Sequence, residues 1–212
     1  MWSSLLDIVF PRRSLTGREG EWITEEECRR LVSFPVREEE GLLRKRGIRS
    51  LDRLFAASTY ASTPLLRKAI YTLKYGRIRE IARDLAELIA RFAPPTEVTR
   101  PVLCPVPLHW VRRFQRGFNQ AELIAGEVGL QRRLSILPLL KRVRPTGTQT
   151  LRKREERLTA LKAAFRFVGD VIPKNVILID DLCTTGATLD ECANTLKRAG
   201  VERVEGWVVA RG

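Results

Sequence analysis

The chain has 212 residues, and its 38 Lys and Arg against 25 Asp and Glu give a formal net charge of +13. Apolar residues make up 44% of the sequence, and no apolar run approaches the ~18 residues that a membrane-spanning helix needs. The length fits one main domain with an accessory segment, and the charge favours nucleic acid or phosphorylated small molecules as partners, although a solvated, salt-bridged surface would also explain it.

Residues 1–50 are predicted to form an accessory segment, separate from a main domain over 51–212. The segment combines a short apolar stretch, Leu5–Pro11, with runs of acidic and of basic residues. The first residues lack the basic region and the cleavage pattern of a secretory signal, so we expect a cytoplasmic location. The cysteines are scattered, which fits reduced thiols better than a disulfide framework; they are Cys28, Cys104, Cys183 and Cys192.

The first part of the main domain alternates strand and helix patterns. Apolar spacing predicts a strand over 54–58 and helices over 64–73 and 78–92. Between the two helices, Lys74 and Arg77 are candidates for contact with a phosphate group. A basic helix C-terminus stabilised by the helix dipole explains these two residues equally well.

The next strand is predicted over 102–106, where a Pro-Val-Pro sequence ends it. Three arginines follow on a loop that contains glycine, and guanidinium groups bind a diphosphate bidentately; they are Arg112, Arg113 and Arg116. His109 is the only histidine, and a lone histidine is more commonly a hydrogen-bonded loop or core residue than a catalytic acid or base. A third helix is predicted over 118–128.

A basic, loop-like segment over 141–157 precedes the last strands. It either closes over a bound ligand or contacts the phosphates of nucleic acid without reading its sequence. Flanking strands are predicted over 164–168 and 204–210. With the strands described above and below, the alternation of strands and helices predicts an α/β fold, a doubly wound and mainly parallel sheet of about five strands.

One stretch carries most of the chemical information. The apolar strand over 176–180 is buried on both faces and leads into Asp180 and Asp181, a turn of small residues and a helix over 189–199. The amides and helix dipole of such a turn favour an anion, and the paired carboxylates suit a ribose diol or a divalent cation. The alternative is an ordinary strand-to-helix turn with two solvated aspartates.

Three other inferences concern this stretch. No GxxxxGK[ST] or GxGxxG pattern is present, so neither a Walker A nor a dinucleotide site is indicated. The position of Cys183 near a helix N-terminus predicts a lowered thiol pKa. Cys104 and Cys192 are predicted to fill the core.

Residues 180–188, DDLCTTGAT, resemble the phosphoribosyl pyrophosphate (PRPP) motif of type I phosphoribosyltransferases. The RGFNQA sequence over 116–121 and the LKYGR junction over 73–77 resemble segments of the ComF family, also called competence protein F or amidophosphoribosyltransferase-like. The resemblance implies that Asp180 and Asp181 hold the ribose hydroxyls as the catalytic pair. It assigns the 5′-phosphate to the turn, namely Thr184, Thr185, Gly186, Ala187 and Thr188.

The same resemblance implies phosphoribosyl transfer to an unknown acceptor with release of pyrophosphate. Magnesium would accompany PRPP, held through the diphosphate and through Asp180 and Asp181. The candidates for binding the pyrophosphate are Pro107, Arg112, Arg113, Arg116 and Lys74. A mobile loop closes over PRPP in the parent enzymes, and either 141–157 or 109–117 could supply it here.

ComF proteins also carry a four-cysteine zinc module near their start. Here Ser14 and Gly17 stand at the first cysteine pair, and Cys28 alone remains of the second. One thiolate cannot close a tetrahedral zinc site, so we expect no zinc. We expect apolar contacts to hold this degenerate module, through residues such as Trp22, Ile23, Leu31 and Phe34.

Two other functions stay open at this point. One is a non-catalytic factor that binds PRPP and single-stranded DNA in natural transformation, in contact with the DNA-uptake machinery. The other is a regulator of the purine-operon type, which no helix-turn-helix pattern supports. A homodimer is also left open.

Overall fold

The computed structural model describes residues 13–31, 35–61, 63–76, 78–95, 100–144 and 164–212. Several predicted features lie outside these residues, namely Leu5–Pro11, Phe34, Arg77 and most of the basic segment over 141–157. Among the described residues, no helix is long and apolar enough to cross a membrane.

The described residues form helices and strands in alternation. The strands are β1 (Val36–Glu39), β2 (Arg53–Thr59), β3 (Val102–Pro105), β4 (Leu140–Arg142), β5 (Phe165–Phe167), β6 (Asn175–Cys183) and β7 (Arg203–Arg211). The helices are α1 (Glu25–Leu31), α2 (Glu40–Lys45), α3 (Pro64–Tyr71), α4 (Ile81–Phe92), α5 (Trp110–Arg116), α6 (Gln120–Arg132) and α7 (Ala187–Arg198). A π-helical turn, Thr72–Gly76, extends α3.

The main sheet has five strands in the order β1-β2-β7-β6-β3. Strands β2, β7, β6 and β3 are parallel to one another, and β1 is antiparallel to β2. The four apolar residues that begin β6 are buried, as expected for a central strand covered on both faces. The predicted α/β architecture with a mainly parallel sheet is therefore confirmed.

Alternate residues of β6 point into two apolar cores. Ile177 and Ile179 pack with the buried faces of α3, α4 and α6. Val176 and Leu178 pack on the opposite side with α7 and with the β4–β5 ribbon. Because a strand directs successive side chains to opposite faces, one apolar run supplies both cores.

The prediction for residues 164–168 was wrong in one respect. Strand β5 does not join the main sheet but pairs antiparallel with β4 in a separate two-stranded sheet. The fifth strand of the main sheet is β1, which comes from the segment predicted as accessory. Its sequence, VREE, has no apolar alternation, so periodicity could not reveal it.

The predicted loop over 109–117 is also different. Residues Trp110–Arg116 form α5, which ends at Gly117 with a left-handed φ of 81°. Helix α6 continues beyond its predicted end at residue 128, through Gly129, as far as Arg132. Ile136 packs so closely on Gly129 that an added Cβ would lie 2.9 Å from its Cδ1, so this glycine serves packing and does not end the helix.

Candidate functional site

The acidic pair, Asp180 and Asp181, lies near the carboxyl end of β6, which ends at Cys183. The backbone N–H of Asp181 donates to Oδ1 of Asp180 at 2.9 Å. Burial and the neighbouring Asp181 carboxylate raise the pKa of Asp180 to about 7, while Lys74 acts to lower it. The site therefore holds Asp180 close to a change of protonation at neutral pH.

The π-helical turn brings Lys74 to the acidic pair. Its Nζ lies 2.8 Å from Oδ2 of Asp181, and both side chains are largely buried. The two atoms are close enough to form an ion pair, but their angles are not those of a hydrogen bond. Oδ2 of Asp181 therefore has no hydrogen-bond partner among the described atoms. The wide π-helical turn is frequent at functional sites, and here it delivers a cation to two carboxylates.

The turn after β6 has the geometry that an anion site requires. Thr184 and Thr185 are exposed, and Gly186 is the N-cap of α7 with a left-handed φ of 80°. The side chain of Ile48 leaves no room at this glycine, since an added Cβ would lie 2.2 Å from its Cδ1. The N–H of Ala187, the first residue of α7, donates to Oγ1 of Thr185 at 3.4 Å, and the N–H groups of a first helical turn lack carbonyl partners within their own helix.

A buried ion pair, between Arg211 and Glu38, holds the backbone of this turn in place. Nε of Arg211 donates to Oε1 of Glu38 at 3.0 Å. The same guanidinium donates to the carbonyl oxygens of Cys183, at 3.0 Å, and of Thr184. Charge-assisted bonds from a fixed planar group hold the backbone of the turn more firmly than neutral bonds do.

A second support comes from the first turn of α7. Oδ1 of Asp190 accepts hydrogen bonds from the backbone N–H groups of Arg49 and Ser50, at 2.9 and 2.6 Å. These bonds hold the α2–β2 connection, which carries Ile48, against the start of α7. The turn is thus shaped by residues far away in the sequence.

Two arginines lie near one another at this end of the sheet, and one of them, Arg142, lies near Asp180. Burial and the neighbouring Arg112 lower the pKa of Arg142, in β4, and Asp180 acts in the opposite direction. Burial and Arg116 likewise lower the pKa of Arg112. Half-buried guanidiniums that repel one another make a local excess of positive charge beside the carboxylates, which favours an anion with several charges.

The remaining arginines of α5 differ in their surroundings. The guanidinium of Arg116 stacks on the ring of Tyr75 at 5.2 Å and donates to Oε1 of Gln120 at 3.1 Å. Arg113 is exposed and pairs with Glu122 at 2.8 Å. Arg116 therefore joins α5 to the π-helical turn, whereas the side chain of Arg113 contacts α6.

The RGFNQA sequence has a structural explanation. Gly117 ends α5, and Phe118 is buried. Asn119 accepts from the N–H of Ala121 at 3.2 Å as the N-cap of α6, and it donates to the carbonyl of Val106 at 3.0 Å. The sequence thus fixes the start of α6 to the end of β3. Pro107 is half-buried directly after that point.

The histidine and the cysteines have structural surroundings. His109 is buried and caps α5 by accepting from the N–H of Val111 at 3.4 Å. Burial lowers its pKa, and Arg142 and Arg112 lower it further. The predicted lowering of the Cys183 pKa was wrong, because burial raises that pKa to about 11. Cys104 and Cys192 are fully buried, as predicted.

The structure brings the acidic pair, Lys74 and the turn together, and it places Arg112 near them through Arg142. Sequence reasoning included Arg142 only as part of the basic segment over 141–157, and it did not select Glu38 or Arg211 as site residues. Glu38 belongs to a run of acidic residues that resembles an exposed surface. Arg211 follows the strand predicted over 204–210, and no pattern marks it.

Comparison with known proteins adds independent information. No protein-family model matches the chain. The DNA utilization protein YhgH of Escherichia coli K12 is 34% identical over 167 residues, which cover 75% of this chain and 72% of that protein. The chain belongs to the ComF family.

Two other relatives agree with this assignment. Competence protein F of Haemophilus influenzae is 38% identical to the ComF chain over 115 residues, 51% of the chain and 49% of the relative. Competence protein ComFC of Streptococcus pneumoniae is 35% identical over 106 residues, 50% of the chain and 46% of the relative. The matches thus span about half the length of these two relatives. The family resemblance of the sequence motifs is confirmed.

Proposed function

We propose that this chain binds PRPP with magnesium and catalyses phosphoribosyl transfer, on a fold of the type I phosphoribosyltransferase kind. The observation that carries the proposal is the acidic pair, with Asp180 partly buried and Asp181 buried, followed by a left-handed Gly186 at the start of α7. Carboxylates accept hydrogen bonds from a ribose diol, and the turn offers N–H and hydroxyl donors for a 5′-phosphate. Arg112, Arg142 and Lys74 supply positive charge for the diphosphate.

In the proposed reaction a nitrogen of the acceptor forms a bond to C1 of the ribose while the bond from C1 to the diphosphate oxygen breaks. The electron pair of that bond leaves with pyrophosphate. Asp180 and Asp181 hold the ribose, and the arginines hold the leaving group. Carboxylate oxygens suit Mg²⁺, which commonly binds through one or two carboxylates and substrate phosphates and would neutralise the diphosphate charge.

The first experiment is calorimetric titration of PRPP into the full chain, with and without magnesium. Binding that requires magnesium and is lost in the Asp180→Asn/Asp181→Asn variant supports the proposed site. Asp170→Asn is the matched control, because Asp170 is an exposed acid between β5 and β6. Absence of PRPP binding to the wild type would refute the proposal.

A second experiment separates catalysis from binding alone. Pyrophosphate release is followed with PRPP and a series of purines, pyrimidines and amines. Turnover with one acceptor class, lost in the double variant and kept in Asp170→Asn, supports an enzyme. Tight binding without pyrophosphate release from any acceptor would leave a PRPP-binding protein, and the enzymatic part of the proposal would be wrong.

The second candidate function is binding of single-stranded DNA, in a role in competence or DNA utilization such as the names of the relatives state. The observation in its favour is a group of exposed aromatic side chains beside the arginines of α5. Trp110 and Phe114 lie one turn apart on α5 with 70% and 86% of their surfaces exposed. The rings of Tyr71 and Tyr75 are in contact at a tilted angle of 41°, with their centroids 4.7 Å apart, and Arg116 lies over Tyr75. Exposed rings with nearby cations are what unstacked bases bind.

Its test is the anisotropy of a labelled oligothymidine titrated with the protein at several salt concentrations. Replacing Trp110 and Phe114 with Ala should weaken binding by roughly tenfold or more, and higher salt should weaken it further. Leu130→Ala is the control, since Leu130 is 77% exposed on α6 but has no ring. Unchanged affinity in the aromatic variant would exclude this surface.

A further inference from the structure

The N-terminal module lacks the donors that a zinc site needs. Zinc in such modules is held by four side chains, thiolates or imidazoles. In this chain the hydroxyl of Ser14 is a poor zinc donor, Gly17 has no side chain, and Cys28 contributes one thiol. The residues at the family's zinc positions therefore do not fit the metal.

A carboxylate lies at the centre of this module instead. Glu27 is 2% exposed. Its Oε1 accepts from the hydroxyl of Ser14 at 2.9 Å and from the N–H of Thr16 at 2.5 Å. Its Oε2 accepts from the N–H of Thr24 at 2.8 Å. One side chain thus accepts hydrogen bonds both from the turn at Ser14 and Thr16 and from Thr24, which precedes α1.

Further bonds complete the arrangement. The N–H of Glu27 donates to the hydroxyl of Thr24 at 3.2 Å, which together with the bond described above forms a capping box at the start of α1. The hydroxyl of Ser14 accepts from the N–H of Arg18 at 3.1 Å. Gly17 has a left-handed φ of 98°, and its N–H donates to the carbonyl of Ser14. The turn over 14–18 is therefore closed on itself and tied to Glu27.

A structural zinc ion stabilises a small module by joining loops that have too little apolar surface to hold each other. Glu27 makes the same kind of connection, because its charge is buried and stays favourable only while several donors surround it. Its neighbour Glu26 is exposed and pairs with Arg18 at 2.8 Å, so the two adjacent acids have different surroundings.

We propose that the Glu27 carboxylate takes the structural place of a zinc ion in this module, holding the Ser14–Arg18 turn to α1 by hydrogen bonds, so that the module folds without a metal. Apolar contacts act together with it, as the sequence predicted, since Ile23 and Leu31 are buried in the core beside the sheet. Hydrogen bonds to the carboxylate fix the position of the turn relative to α1, whereas apolar contacts alone are non-directional.

The test uses the full chain and its variants Glu27→Gln, Ser14→Ala and Glu26→Gln. Zinc content is measured after refolding with equimolar zinc, and thermal unfolding is followed with and without a chelator. Trypsin cleavage in the module, at Arg18, Arg29 and Arg30, reports its local opening. Glu26→Gln is the matched control, since it removes an exposed charge from the same helix.

We expect the wild type to retain no stoichiometric zinc and to unfold at the same temperature with the chelator. Glu27→Gln should lower the unfolding midpoint by roughly 5 °C and raise cleavage about tenfold. Ser14→Ala should do the same to a smaller extent, and it carries the test if Glu27→Gln does not fold. The proposal would be overturned if the chain bound one zinc ion and its unfolding midpoint fell with the chelator. It would also be overturned if Glu26→Gln had the same effect as Glu27→Gln and Ser14→Ala.

Discussion

At Gly186 the backbone passes from β6 into α7 with a left-handed φ, and Ile48 occupies the space beside it. Two separate constraints therefore act on one residue. A side chain would be strained by the backbone conformation, and it would also collide with a buried isoleucine. Gly117 has almost the same φ, 81°, but nothing lies within 4 Å of the Cβ that it lacks.

This pair of glycines allows the two constraints to be measured separately. Gly117→Ala should cost about 1 kcal/mol of unfolding free energy, from backbone strain alone. Gly186→Ala should cost about 2 kcal/mol or more, since Ile48 must also move, and it should abolish PRPP binding. Urea unfolding of both variants gives the comparison, and equal losses would contradict the close contact with Ile48.

Asp180 predicts an unusual dependence of stability on pH. Folding raises its pKa from the ordinary value of 3.8 to about 7, so between these pH values the folded protein binds more protons than the unfolded chain. The contribution of this group to stability is therefore favourable at low pH and declines as pH rises from about 4 to about 7.

Replacing the carboxyl group should remove that decline. We expect Asp180→Asn to unfold about 3 °C or more above the wild type at pH 8, and the difference should shrink towards pH 4. Asp181→Asn should not be stabilising, because it removes the ionic partner of Lys74. Calorimetric melting at several pH values measures both, and a difference that does not depend on pH would exclude titration of Asp180 as its cause.

At the scale of elements, the buried pair of Glu38 and Arg211 joins β1, β7 and the end of β6. Glu38 and Arg211 are 2% and 8% exposed. The pair connects the polar edge strand β1 to β7. Removal of Arg211 leaves the buried Glu38 carboxylate with Arg46, whose side chain is 45% exposed and lies 3.1 Å from Oε1 of Glu38, and this exposed partner compensates the buried charge only in part.

Arg211→Met should therefore lower the unfolding free energy by about 3 kcal/mol or more. In the control, Lys174→Met removes the exposed pair with Glu202, whose side chains are 77% and 60% exposed, and the change should stay below about 1 kcal/mol. Chemical unfolding measures both. The combined Glu38→Leu/Arg211→Met variant should recover part of the loss, and an additive further loss would contradict the explanation.

Some of these elements could be predicted from the sequence, and others could not. Strand β6, its acidic pair and its turn are contiguous, so apolar runs, charges and small residues revealed them together. Glu38 and Arg211 are 173 residues apart, and no local pattern joins them. The Thr24-x-x-Glu27 pattern is local, and a capping box could have been predicted there. The hydrogen bonds that Glu27 accepts from Ser14 and Thr16 depend on the tertiary structure, and no local pattern indicates them.

At the scale of the whole molecule, the described part of the N-terminal segment shares its core with the sheet. Leu15, Ile23 and Leu31 pack in the same apolar cluster as residues of α3, α4 and α6. The division into an accessory segment over 1–50 and a domain over 51–212 stays a prediction. A shared core predicts that the two parts unfold together.

Tryptophan fluorescence can decide this point. Trp22 lies in the N-terminal segment and Trp207 in the sheet, where it is fully buried. We expect two variants, one with Trp22 and one with Trp207 as its only tryptophan after Trp2 and Trp110 are also replaced, to give by fluorescence the same urea midpoint and slope that circular dichroism gives for that variant. An earlier transition at Trp22 would show that the segment is a separate unit.

The position of β7 has a consequence for synthesis of the protein. This strand is the last of the described chain, yet it lies in the middle of the sheet, where Arg53 of β2 pairs with Glu205. In a nascent chain on the ribosome, β2 therefore lacks its parallel partner strand β7 until residues 203–211 have emerged. Such late pairing across the whole sequence folds slowly and exposes aggregation-prone edges. We therefore expect a lower growth temperature, at which apolar association is weaker, to increase the yield of folded protein, measured as its soluble fraction.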